Sequence, residues 1–273
     1  MRVLNLAGGA FKGAYQVPIA TALCAANKYD LILGTSVGAI NGAVLATKQP
    51  ELLHSIWTGL DDRDPWGGVK GFLKPLWWKI PLPGKPPDGL FTLEPMRAML
   101  ERHVRPQSFQ TPYGCGYVVR NTGAYRVVHF DETAKASELH DAIMASSAMS
   151  GIMEAIRVGD EDRVDGGHRN VLARMPKGVK EVDAVFCTEL APLEKPRCER
   201  GALNAILWGI ESALHNTALE DLEDLRELAR SGVKVRVWAP KVSLGGMLDA
   251  SAEMIGTRMQ LGTQDLGKPL TLK

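Results

Sequence analysis

Short apolar runs alternate with helix-forming stretches from the first residues onward. Arg2–Ala7 reads as a strand that stops at Gly8-Gly9. Gly13–Ala26 follows as an Ala-rich helix, and Pro18 either kinks it or marks where its regular portion begins. Tyr29–Leu33 is a second apolar strand stopped by Gly34, and 39–47 is again helical in composition. This strand–helix–strand–helix order predicts a parallel, buried sheet covered by helices. Further along, 94–103 reads as a helix, and 113–120 with 125–130 as a hairpin around Asn121-Thr122-Gly123. A helix over 137–149 takes Ser137 as its N-cap. Short strands at 155–158 and 162–164 flank a Gly159-Asp160 turn, and 182–187 is another apolar strand. A long helical stretch over 202–230, interrupted near Gly209, leads to a last strand at 233–238 and a final helix at 248–261.

The segment from about 60 to 90 breaks this rhythm. It holds six prolines together with Trp66, Trp77 and Trp78, and reads as a lid-like insertion in a single domain spanning 1–273. Phe72, Trp77 and Trp78 beside Lys70, Lys74, Lys79 and Lys85 suit peripheral contact with a membrane surface. The alternative is a loop packed on the core by its own aromatics.

Composition narrows the classes. Lys plus Arg is 32 and Asp plus Glu is 31, for a net charge of +1, which leaves no electrostatic footprint for nucleic acid. Apolar residues are 45% of 273, enough for a full core. Cys24, Cys115, Cys187 and Cys198 form no CxxC pair and have no His at metal spacing, so no metal is expected, and the thiols suit a reducing compartment. The first apolar stretch is too short for a signal peptide, and no run is long enough to span a bilayer. The expectation is a cytoplasmic or peripheral-membrane protein, with export by a non-classical route left open.

Three segments carry candidate chemistry. Gly34-Thr35-Ser36-Val37-Gly38 matches G-x-S-x-G between a strand and a helix, the context in which a sharp turn exposes a nucleophilic Ser Oγ. The alternative is a plain turn with Ser36 as N-cap. Gly8-Gly9-Ala10-Phe11-Lys12-Gly13 is a loop whose amides can converge on an anion, either an oxyanion or a dinucleotide pyrophosphate. The second strand favours the oxyanion, because the acidic residue a dinucleotide fold needs at its end is replaced by Gly34-Thr35-Ser36. Lys12 either meets a substrate phosphate or packs its stem and solvates its head. A serine needs a base. His54, His103, His129, His140, His168 and His215 are read as surface residues, none on a loop after a late strand. Asp165 emerges from a strand end into Gly166-Gly167, open enough to reach Ser36, although a turn Asp before permissive glycines reads the same way. Ser231-Gly232-Val233-Lys234 matches S-x-x-K but lies between a helix end and a strand, and reads as a turn. Arg226 and Arg230 with the acids of 220–227 read as a solvated helix face.

In this order the three segments resemble the patatin-like phospholipase family. Ser146-Ser147-Ala148-Met149-Ser150-Gly151 and Asn170 add to a likeness spanning 3–170. The resemblance implies a three-layer α/β/α fold with a mainly parallel central sheet. It implies a Ser36–Asp165 dyad without histidine and an oxyanion hole from the backbone of Gly8, Gly9 and Ala10, which the Val37 amide at the head of the following helix completes. The family has a third Gly where this chain has Ala10, whose amide serves equally if the position does not demand a positive φ. The implied function is a metal- and cofactor-free serine acyl hydrolase (lipase or phospholipase type) that cleaves fatty acyl esters through an acyl-enzyme. The rivals are a catalytically silent lipid- or protein-binding module on the same fold and a dinucleotide-binding oxidoreductase.

Overall fold

The computed structural model describes residues 1–59, 89, 92–191 and 202–273. Phe72, Trp77, Trp78 and the neighbouring lysines, expected in a lid-like insertion, lie outside the described residues, as does Cys198. The strands are β1 (Arg2–Leu6), β2 (Leu31–Thr35), β3 (Tyr113–Val119), β4 (Ala124–Phe130), β5 (Ile156–Val158), β6 (Glu161–Asp165), β7 (Glu181–Val185), β8 (Lys234–Trp238) and β9 (Leu270–Leu272). The helices are α1 (Gln16–Ala26), α2 (Val37–Ala46), α3 (Pro50–Thr58), α4 (Glu94–His103), α5 (Ala136–Ser146), α6 (Ala202–Arg230) and α7 (Ala252–Asp265).

The strands form one sheet in the order β5-β6-β3-β2-β1-β7-β8-β9, with β4 also paired to β3. Its centre, β3-β2-β1-β7-β8, is parallel. Antiparallel strands finish both ends. Alternation along the strands sorts side chains to two faces. Leu4, Leu6 and Ile32 join the core beneath α1 to α5 and α7. Val182, Ala184, Val235 and Val237 pack beneath α6 with Ala218, Leu222 and Leu225. The result is the three-layer α/β/α architecture.

One topological detail positions the site. β4 pairs along the whole of β3 and occupies one of its edges. The other edge is shared end to end: β2 pairs as far as Thr35 opposite Gly116, and β6 arrives from the opposite direction with Asp165 opposite Tyr117. Gly116 and Tyr117 are consecutive, so the two strand ends meet head-on.

Several boundaries differ from the sequence reading. Residues 10–15 are a tight 3-10 turn before α1 begins at Gln16. The α5 helix starts at Ala136, and Lys135, not Ser137, stands at its N-cap. The α6 helix runs unbroken through Gly209, where an added Cβ would meet nothing within 4 Å. The α7 helix starts four residues later than expected, capped by the Ser251 hydroxyl on the Met254 amide at 3.3 Å. A further strand, β9, follows it. Ser231 is a turn residue after α6, its hydroxyl donating to the Leu228 carbonyl, and Glu223 holds Arg226 and Arg230 on an exposed face, both as expected.

Candidate active site

Ser36 follows β2 directly and α2 starts at the next residue, which leaves it the whole reversal of direction. Its backbone sits at φ 55°, ψ −126°, a conformation L residues adopt only under constraint, at about 1–3 kcal/mol. The flanking glycines are steric necessities. A Cβ at Gly34 would enter the Gly38 carbonyl, and one at Gly38 would enter the Leu6 carbonyl. The elbow brings α2 hard against β1 and β2, and Ser36 is buried.

The end of α5 holds this turn. The Ser146 hydroxyl accepts from the Ser36 amide at 2.9 Å and donates to the Gly116 carbonyl at 2.6 Å. The Ser147 hydroxyl donates to the Ser36 carbonyl at 3.3 Å. The Ala148 carbonyl accepts from the Asp165 amide at 2.9 Å. Ser146, Ser147 and Ala148 therefore grip both candidate catalytic residues. Sequence reasoning noted this segment only as part of a resemblance and missed its contacts.

Asp165 closes β6 and is buried. Its Oδ1 accepts from the Gly167 amide at 2.7 Å, and Oδ2 has no hydrogen-bond partner among the described residues. Burial pushes the carboxyl up to about 7, opposed by the Ser36 hydroxyl and the Gly167 amide. The hydroxyl is thus close enough to act on the carboxylate, yet the pair falls short of ordinary hydrogen-bond geometry, an arrangement that tightens on substrate binding in many enzymes. Gly166 has no room for a side chain, since a Cβ would strike the Gly116 carbonyl.

The glycine loop differs from the expected donor set. The Gly8 amide donates to the Val171 carbonyl at 2.9 Å, so Gly8 is not free to hold an oxyanion. Its smallness still matters, because a Cβ there would lie 3.1 Å from Ser36 Cβ. The amides of Gly9, Ala10 and Val37 meet no acceptor among the described residues. Ala10 does take a positive φ, 48°, which costs an alanine about 1–2 kcal/mol relative to glycine. Val171, the residue after Asn170, thereby fixes the loop. Asp221 on α6 fixes Val171's surroundings in turn, accepting from the Asn170 side chain at 2.7 Å and the Leu172 amide at 2.8 Å. Burial pushes Asp221 up to about 6, against these two donors.

Lys12 takes neither of the positions considered for it. Its ammonium lies 3.3 Å from Glu211 on α6, and Glu211 also accepts from the Met247 amide at 2.8 Å. The lysine is engaged as a tie between the loop and α6 and is not presented to a substrate. The histidine reading also needs correction. His140 and His215 are buried, and His140 Nε2 lies 2.7 Å from the Val104 carbonyl. His168, three residues past Asp165, is exposed as expected, and its ring nitrogen Nε2 accepts from the Ser150 amide at 3.3 Å.

Ser36 lines two cavities. The larger, 620 Å³, is walled mainly by Phe11, Val37, Ile40, Met96, Met99 and Met153, with Arg102 and His103 also on its lining. The smaller, 300 Å³, contains Gly8, Gly9, Asp165, Gly167 and His168 on one side and α6 on the other. Among the described residues no His, Cys, Asp and Glu cluster could hold a metal, and no helix is long and apolar enough to cross a membrane.

A serine on a strained strand-to-helix elbow in an α/β/α sandwich is the framework of an acyl hydrolase fold. The model of the patatin-like phospholipases matches residues 4–176, and the chain belongs to that family of lipid acyl hydrolases. Among solved structures it is similar to VipD from Legionella pneumophila, with 11% identity and a TM-score of 0.46 over 100% of this chain and 68% of that one. No curated protein sequence matches it.

Proposed function

We propose that the chain is a serine acyl hydrolase that cleaves fatty acyl esters of lipids through a Ser36–Asp165 dyad and an acyl-enzyme, within a single domain over 1–273. The observation that carries this reading is the buried Oδ2 of Asp165, without a hydrogen-bond partner among the described residues, beside a serine in a strained elbow. An unpaired buried carboxylate oxygen is costly and recurs where a proton is to be taken.

Asp165 accepts the Ser36 proton as Oγ attacks the ester carbonyl. The developing oxyanion is held by the amides of Gly9, Ala10 and Val37, the last at the positive end of α2. The tetrahedral intermediate collapses as Asp165 returns the proton to the departing alkoxide oxygen. The acyl chain, now esterified to Ser36, lies in the larger cavity. Water then gives a proton to Asp165 and attacks the acyl-enzyme, and Asp165 passes that proton to Ser36 Oγ as the ester bond breaks and the fatty acid leaves. Neither metal nor cofactor enters these steps. Phe72, Trp77, Trp78 and the adjacent lysines would bring the site to a lipid surface.

A fluorophosphonate probe tests the nucleophile: wild type is labelled and Ser36→Ala is not. Asp165→Asn abolishes turnover of a short acyl ester while circular dichroism stays native. Turnover by that variant would move the base elsewhere, and an unlabelled wild type would leave a silent binding module. Vesicle co-sedimentation of Trp77→Ala/Trp78→Ala tests the surface contact, with loss of binding expected.

A further inference from the structure

The two cavities divide the residues of the proposed reaction unequally. Of the three proposed oxyanion donors, Ala10 and Val37 line the larger cavity and Gly9 the smaller, with Ser36 on both. Asp165 lines only the smaller one. In the collapse step the ester C–O bond breaks, its electron pair goes to the alkoxide oxygen, and the proton held by Asp165 moves to that oxygen. The alcohol must therefore leave on the side where Asp165 stands.

The opposite wall of that side is apolar. Ile206, Gly209, Ile210, Ala213, Leu214 and Thr217 fall at spacings of three and four, a single stripe along α6. Ile206 at its N-terminal end is 56% exposed, an aliphatic side chain left at the cavity mouth. The stripe is not free to drift, since Lys12–Glu211 pins α6 to the glycine loop and Asp221 pins it to the segment after Asp165. A wholly polar alcohol leaves this apolar wall without an apolar partner, whereas one carrying an acyl chain covers it.

We propose that the smaller cavity receives the leaving alcohol, and that the α6 stripe selects alcohols carrying an apolar chain of their own, so that two-chain glycerolipids are cut in preference to one-chain lipids. This rests on the serine hydrolase reading above.

The experiment compares kcat/KM for a dipalmitoyl phospholipid and the matching monopalmitoyl lysophospholipid in mixed micelles of constant composition. Wild type favours the two-chain lipid. Gly209→Leu places a side chain in the smaller cavity at a helical position with open space around it. It lowers the two-chain to one-chain ratio about tenfold, the effect of excluding one or two methylenes from an apolar wall. Ala213→Leu, one turn on, does the same, and thermal melts confirm that each variant is folded. An unchanged ratio in both folded variants, or a wild type that prefers the one-chain lipid, overturns the proposal. A wild type inert to both lipids and unlabelled by fluorophosphonate fails the hydrolase reading itself. One that is labelled and cuts both lipids equally fails only the selection by α6.

Discussion

At the scale of single residues, the candidate site stores free energy in two places, the backbone of Ser36 and the carboxylate of Asp165. The Asp165 carboxyl, raised from 3.8 to about 7, binds its proton more tightly in the folded chain than in the unfolded one. Folding stability therefore falls as pH rises from about 4 to about 7, and the loss is complete above that range. Asp165→Asn removes the penalty, so its melting temperature at pH 8 exceeds wild type, by an amount equivalent to about 1–4 kcal/mol in calorimetry, while turnover is lost. In the wild type, kcat/KM for a soluble ester rises with pH through about 7 as the base form appears. Ser36 and Asp165 stand out in the sequence as candidates because the glycines beside them answer local steric demands that sequence displays directly. Gly8 misled for the opposite reason. Its amide is taken by Val171, a partner far along the chain that no local pattern announces.

At the scale of elements, the end of α5 connects the two strand ends through Ser146, Ser147 and Ala148. Ser146→Ala leaves the Ser36 amide and the Gly116 carbonyl without their partner, at a cost of about 1–3 kcal/mol. The expected result is a lower melting temperature and slower fluorophosphonate labelling, since the elbow loses a strut. Labelling at the wild-type rate would show that the turn is held by its glycines alone. The sequence displays α4, β3 and β4 nearly to the residue, because Pro95 marks the start of α4 and Asn121-Thr122-Gly123 separates the two strands. β9 went unread because its three residues are largely exposed and carry no burial pattern. Gly209 suggested an interruption in α6 because glycine is a poor helix former. Its position on a cavity wall, where a side chain would fill open space, gives it a different meaning.

At the scale of the whole molecule, the sheet carries a buried charge cluster as well as the site. Asp183 on β7 accepts from Arg236 at 2.7 and 2.8 Å, from Arg2 at 3.2 Å and from Tyr29 at 2.5 Å, tying β1, β7 and β8. Burial raises its carboxyl, but Arg236, Tyr29 and Arg2 outweigh that and hold it below the ordinary value. The stability it contributes is present above about pH 4 and is lost as pH falls through the depressed pKa. In urea titrations, Asp183→Asn leaves two guanidinium groups undercompensated and destabilises the protein by about 3 kcal/mol at pH 7, less below pH 4. The head-on meeting of β2 and β6 along one edge of β3 has a consequence of a different kind. Ser36 and Asp165 are brought together by hydrogen-bond register, and a one-residue slip of β6 would turn Asp165 to the opposite face of the sheet. On the proposed hydrolase reading, an esterase signal during refolding would report that β6 has paired with β3 in this register.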